Sequence, residues 1–257
     1  MDVTGKVAVV TGGANGIGRA LCETFVNAGA LVACMDTDEA AGERLAARYG
    51  DNLLFFAGDA AEEHDLKSFA DAVLKKHGGV DYLVNNACIS KRGILSNCLF
   101  EDFTYVLRLG VAGPYYLSLL FKDAFRENAA IVNIASSRAF QSQTDTESYT
   151  AAKGGILSLT HALAMSFNGR VRVNAICPGW IDTAAFHGEG NEPTVFSEPD
   201  RLQHPVSRVG TPQDIAEAAL FLLSEKAGFI TGTSLTVDGG MTKRMIYHGD
   251  EGWTYQV

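Results

Sequence analysis

The sequence predicts an α/β fold, a parallel sheet with helices on both faces. Three observations support it. Seven short apolar runs alternate with longer amphipathic stretches from the first residues to about Val237. Most of the runs are short and mainly apolar, so they read as strands covered on both faces. The stretch after nearly every run is long enough for the helical crossover that a parallel pair requires. In order, the strands fall at 7–10 (Val-Ala-Val-Val), 31–35, 53–56, 82–84, 131–134, 171–176 and 234–237 (Ser-Leu-Thr-Val). Helices are expected near 17–29, 38–49, 62–77, 100–127, 150–167 and 212–224. Between 181 and 208, Gly188, Gly190, Pro193, Pro199 and Pro205 break any long period, which predicts a loop or lid. With no repeat, low-complexity segment or linker, residues 1–240 are expected to form one domain, followed by a tail over 241–257.

Composition narrows the function. The 257 residues carry a formal charge of −9, with 47% apolar and 20% charged residues, a balance that suits a folded acidic protein. No cluster of Lys and Arg supplies the phosphate-neutralising footprint of a nucleic-acid binder. The apolar stretch ending at Thr11 is too short for a signal-peptide core, and no run approaches a membrane span, so a cytoplasmic location is expected. Five cysteines (Cys22, Cys34, Cys88, Cys98, Cys177) show no paired close spacing, which indicates neither a disulfide framework nor a metal site.

Directly after the first strand comes Thr11-Gly12-Gly13-Ala14-Asn15-Gly16-Ile17-Gly18, opening a helix. Glycines there let the backbone turn tightly and approach a pyrophosphate, while free N–H groups at the helix start attract the anion. A plain strand-to-helix turn uses the same residues; the added signal is Asp36 at the end of the second strand, where a carboxylate can accept bonds from the adenosine ribose hydroxyls. That carboxylate also selects the cofactor. Against a 2′-phosphate ~4 Å away it costs about 4 kcal/mol at an effective dielectric near 20, roughly a thousandfold in affinity. No Lys or Arg stands at 12–16 or at Thr37 to offset it, and Arg19 reads as solvent-facing, so NAD is expected and NADP disfavoured.

Tyr149 and Lys153 are one helical turn apart and share a face, and Ser136 follows the fifth strand, at the sheet end where ligands of open α/β folds bind. A phenol is a poor proton carrier at neutral pH unless a positive charge stabilises its phenolate, and an ammonium one turn away can do so. A Tyr and a Lys at this spacing also occur as an ordinary solvated pair.

Together, Thr11-Gly12-x-x-x-Gly16-Ile17-Gly18, Asn85-Asn86-Ala87, Ser136, Tyr149-x-x-x-Lys153 and Pro178-Gly179 resemble, in order and spacing, the short-chain dehydrogenase/reductase superfamily from about residue 4 to residue 240. The resemblance implies a Rossmann-type, doubly wound fold with a seven-stranded parallel sheet. It further implies hydride transfer between a nicotinamide cofactor and an alcohol or carbonyl substrate, and a homodimer or homotetramer. By the same likeness Tyr149 is the general acid or base, Lys153 holds the nicotinamide ribose and supports the tyrosine, and Ser136 bonds the substrate oxygen. Asp59 with Ala60 looks like the adenine contact, Asn86 and Ala87 like the turn against the adenosine ribose, and Thr183 like the carboxamide partner. Thr11, Gly12, Asn15, Gly16, Ile17, Gly18, Asp36, Pro178, Gly179 and Ile181 complete the implied cofactor set.

Two positions depart from the family pattern: Cys88 replaces the glycine usual after Asn-Asn-Ala, and Gly110 replaces an asparagine counted as a fourth catalytic residue. In the family the helix opens at that point. Gly110 can still offer its carbonyl there, and its conformational freedom suits an interrupted turn. A nucleotide-binding regulator that kept the fold and lost the chemistry is the alternative that Gly110 favours; the retained Ser136, Tyr149 and Lys153 favour an enzyme. Epimerase and dehydratase relatives usually carry a larger carboxyl-terminal region than the tail here provides. Lys91, Arg92, Arg138, Gln141 and Gln143 border the expected substrate side, which suggests a polar or anionic substrate or merely a solvated rim. Trp180, Phe186 and His187 begin the expected lid, and Tyr247, Trp253 and Tyr255 suggest that the tail packs on a neighbouring subunit.

Overall fold

The strands of the sheet owe their apolar character to facing helices on both sides. In the computed structural model, which describes residues 3–188, 194–245, 247 and 250–252, seven parallel strands lie in the order β3-β2-β1-β4-β5-β6-β7. They are β1 (Val7–Thr11), β2 (Leu31–Asp36), β3 (Leu53–Ala57), β4 (Val80–Asn85), β5 (Phe125–Ile134), β6 (Arg172–Pro178) and β7 (Ser234–Val237). Alternate residues serve opposite layers. Ala8, Val10, Val32, Cys34 and Val84 pack with α1 (Gly16–Asn27), α2 (Glu39–Tyr49) and α8 (Pro212–Leu223). Val9, Ala33, Met35, Leu83 and Ile131 pack with α3 (Glu63–His77), α5 (Gly113–Leu120) and α6 (Glu147–Ser166). This is the Rossmann-type, doubly wound arrangement, with its crevice at the carboxyl ends of the strands.

The expectation of strands covered on both faces fails at the two edges. β3 and β7 are only partly buried, since each has a single neighbouring strand and less helix above and below. A second correction concerns the helix expected over 100–127. The chain instead forms α4 (Phe100–Leu107), a wide π turn (Arg108–Ala112) and α5, and residues 125–127 already belong to β5. β5 starts early because Phe125 pairs with Val80 and packs edge-on against Phe167, ring centroids 5.7 Å apart. The register then shifts before Ala130 meets Tyr82, and Asn128 takes a left-handed φ of 62°. Polar Arg126, Glu127 and Asn128 occupy this irregularity, so the sequence there has no strand signature.

A buried polar ladder fixes α6 against the sheet: Asn85 donates to Asn133 (2.7 Å), Asn133 to Thr160 (2.9 Å), and Thr160 to the Ile156 carbonyl (2.7 Å). Leaving any of these groups unpaired in the core would be costly, so the ladder holds α6 in one position. The expected lid is anchored at its base by a parallel bridge between Ile181 and Gly210 and contains a short helix, α7 (Glu198–Leu202), with a Ser197–Asp200 capping box. Gly190, Pro193, Trp253 and Tyr255 lie outside the described residues, and Tyr247 is exposed. Among the described residues no helix is long and apolar enough to cross a membrane.

Candidate active site

The side of the crevice at the end of β1 is built by close backbone approach. Gly12 (φ 64°) and Gly16 (φ 55°) take left-handed conformations that favour glycine, and a Cβ at Gly12 would stand 2.9 Å from Ala87 Cα. A Cβ at Gly18 would lie 1.8 Å from the Gly12 carbonyl oxygen, so the helix start and the loop touch directly. Thr11 Oγ1 accepts the N–H groups of Asn86 and Ala87, while the Asn86 amide donates to the Thr11 and Gly12 carbonyls. These bonds lock the ends of β1 and β4 together under the loop. Gly18→Ala is expected to cost stability by ~1–3 kcal/mol or more from overpacking and to weaken NADH binding; a lowered thermal midpoint together with a shifted NADH titration would show it.

Asp36 is held by two main-chain donors, Ala14 N–H at 2.9 Å and Asp38 N–H at 3.0 Å. Asp38 accepts the Ala41 N–H and the Asn15 amide, which hold its carboxyl below the usual range. Two carboxylates therefore flank the loop. Arg19 is not solvent-facing as expected: its guanidinium pairs with Glu23, donates to the Gly188 carbonyl at 3.1 Å and stacks over Phe186, tying α1 to the lid base. Just after β3, Asp59 accepts the Tyr105 hydroxyl at 2.9 Å; burial first, and the Asp59 contact next, push that phenol up to about 12.

Across the crevice, Ser136 is buried at the end of β5 and its Oγ accepts the Arg138 N–H at 3.1 Å, which leaves its own proton to donate. Tyr149 lies in the first turn of α6. Lys153, 4% exposed, donates from Nζ to the Ile134 carbonyl at 2.7 Å and sits 5.3 Å from the Tyr149 ring centroid. Cys177 lies behind this group; burial pushes its thiol up to about 11, so it stays protonated and packs. Gly110 falls inside the π turn, which Gly113 N–H closes onto the Arg108 carbonyl. The helix is thus opened at this point. A Cβ at Gly110 would meet Ala152 Cβ at 3.0 Å, next to Lys153, so the missing side chain matches a tight contact.

A cleft of ≈ 470 Å³ gathers Gly12, Asn15, Ile17, Asp36, Asp59, Ala60, Asn86, Ala87, Ser136, Tyr149, Lys153, Pro178, Gly179, Ile181 and Thr183. Thr11 and Gly18 lie beneath it as structural supports, and the missing side chain of Gly16 faces Thr183 and His187 at 3.5–3.7 Å. Sequence reasoning missed the lining by Met35, Thr37 and Tyr105, and placed His187 only in the lid; no motif marks these positions. Cys88 also lines the cleft. A second cleft, ≈ 880 Å³, opens beyond Ser136 and Tyr149 and shares both with the first. Of the three cations expected at its border only Arg138 lines it. Lys91 pairs with Asp102 at 3.6 Å, and Arg92 (φ 64°) presents its carbonyl to Ser148.

The dinucleotide fits this geometry. Glycines clear a floor that side chains would fill, carboxylates stand at its far end, and a buried ammonium stands at the near end. Residues 12–242 match the family described as enoyl-(acyl carrier protein) reductase. The chain belongs to the short-chain dehydrogenase/reductase superfamily. An uncharacterized oxidoreductase of Thermotoga maritima is 43% identical over 95% of this chain and 98% of its own. An apo SCOR enzyme of Clostridium thermocellum shares 46% identity and a TM-score of 0.90, covering 98% of this chain and 99% of its own. The 3-ketoacyl-(acyl-carrier-protein) reductase of Brucella melitensis, solved with NADH, shares 35% identity over 94% of this chain and 100% of its own, with a TM-score of 0.84. This short-chain dehydrogenase/reductase is an oxidoreductase of a family that binds nicotinamide cofactors and acts on small molecules.

Proposed function

We propose that the protein interconverts an alcohol and its carbonyl compound with NAD as the partner cofactor. The observation that carries this reading is the meeting of two clefts at Ser136 and Tyr149: one has the shape and chemistry for a dinucleotide, the other is open to a substrate. Nicotinamide, when bound, supplies the acceptor or donor of a hydride. The Ser136 hydroxyl, oriented by the Arg138 N–H, donates to the substrate oxygen and aligns it. Tyr149 takes the hydroxyl proton in oxidation and returns one in reduction. Lys153 places a positive charge beside the phenol and retains protons to bind a ribose hydroxyl. Asp36 accepts from the adenosine ribose and, with Asp38 behind it, opposes a 2′-phosphate. Gly12, Asn15, Gly16, Ile17, Asp59, Ala60, Asn86, Ala87, Pro178, Gly179, Ile181 and Thr183 would border the rest of the dinucleotide, and His187 lines the same cleft. Exposed Ile94, Leu95, Leu99 and Phe100, clustered before and at the start of α4, support assembly into a dimer or tetramer.

The direct test titrates the protein with NADH and NADPH and then follows NADH formation across secondary alcohols, polyols, sugars and hydroxy acids. Tight NADH binding with turnover on one class is expected. Binding without turnover on any class would favour a regulator. Gly110→Asn is expected to lower the thermal midpoint without raising turnover, because its Cβ crowds Ala152; a faster enzyme would show that the missing amide limits the chemistry.

A further inference from the structure

The substrate cleft has a charge pattern that identifies more than an alcohol. Among the described residues lining it, Arg138 is the only cation and no Asp or Glu appears, in a chain with 30 acidic and 21 basic residues. The carboxylates nearest in sequence are all turned to other work. Asp145 accepts the N–H groups of Leu95 and Ser96, and Glu147 accepts that of Ile94. On the opposite wall Asp182 accepts from Ala184 and Thr194, and Asp238 accepts from Gly240 and Thr242. None of them pairs with Arg138, whose guanidinium donates to the neutral Gln143 amide oxygen. A carboxylate adds charge–charge attraction that a neutral amide lacks and can take the guanidinium bidentately, so it would displace Gln143. Gln141 and Gln203 also line this cleft, and among the described residues neither side chain has a hydrogen bond, so both can serve hydroxyls along a substrate chain.

Arg138 is also close to the chemistry. It lies two residues after Ser136, its own N–H bonds the Ser136 Oγ, and its side chain lines the same cleft, so its guanidinium is within a side chain's reach of a substrate whose oxygen meets Ser136. A volume of ≈ 880 Å³ accommodates a polyhydroxylated chain as well as the acid group.

We infer that the substrate is a hydroxy acid, or the matching oxo acid, whose carboxylate docks on Arg138. This inference rests on the reading of Ser136 and Tyr149 given above. In oxidation the carbinol C–H and O–H bonds break and a C=O bond forms, with the hydride passing to NAD and the proton through Tyr149 to solvent; the carboxylate is unchanged.

The test uses two matched pairs, D-gluconate with D-glucitol, and 3-hydroxybutyrate with its methyl ester. Each is titrated into NADH-loaded protein by NADH fluorescence and supplied with NAD to follow turnover. At least one acid is expected to bind, or to give a KM, about 10- to 100-fold better than its neutral partner. Arg138→Gln, which keeps the main-chain N–H on Ser136, should abolish that difference with NADH binding unchanged, and Arg138→Lys should restore part of it. Equal or better use of the neutral member in both pairs, binding of neither acid, or an equal loss on acid and neutral compound in Arg138→Gln would overturn the assignment. A protein that fails to bind NADH before any acid is added fails at the earlier reading, and both fall together.

Discussion

Tyr149→Phe is expected to lower turnover by at least ~100-fold, the usual loss when general acid–base catalysis is removed, while NADH binding stays within a few-fold of the wild type. The two effects separate because of where the hydroxyl sits. The phenylalanine ring keeps the packing of the α6 first turn, and the Lys153 ammonium, held by the Ile134 carbonyl, is not positioned by the phenol. Only the hydroxyl is lost. Single-turnover rates with saturating NAD and substrate would measure the chemical step directly, and a fluorescence titration would measure the cofactor. Turnover that survives the substitution would remove Tyr149 from the proton path. An equal loss of NADH affinity would mean that the hydroxyl organises the site instead of doing its chemistry.

Asp36→Ala is expected to reduce the preference for NAD over NADP at least tenfold, out of a barrier on the order of a thousandfold from a carboxylate ~4 Å from a phosphate. The substitution also strips an acceptor from the Ala14 and Asp38 N–H groups, so affinity for both cofactors should fall. That shared loss cancels in the ratio of kcat/KM with NADP to that with NAD, which is the quantity to measure. The relaxation should be incomplete, because Asp38 still holds a negative charge beside the loop. Asp36→Ala with Asp38→Asn should relax it further, and an unchanged ratio in the double variant would place selection elsewhere in the cleft.

Much of this site was legible because local rules determine it. Gly12, Gly16 and Gly18 are required by backbone conformation and contact within one turn, and Tyr149 and Lys153 share a face through helical periodicity alone. Asp36 follows from the end of an apolar run. The misreadings have a common physical origin. The helix expected over 100–127 hid both the π turn and the early start of β5, because Phe125 becomes strand only through its pairing with Val80 and its packing on Phe167. Arg19 looked solvent-facing because its partners include Gly188, 169 residues away along the chain. His187 and Tyr105 carry no motif and enter the cleft only because the lid base and α4 are folded over it.

By itself the sequence determined the strand and helix alternation, the parallel sheet, the glycine loop and the spacing of Ser136, Tyr149 and Lys153, since all of these depend on periodicity, backbone sterics or residues within a turn or two. Tertiary structure alone decided which cations line the second cleft, where the helix opens around Gly110, and that the two clefts share Ser136 and Tyr149. Those features depend on contacts between segments far apart in the chain, where each side chain's partner is set by packing and charge in space, and no local pattern records which partner wins.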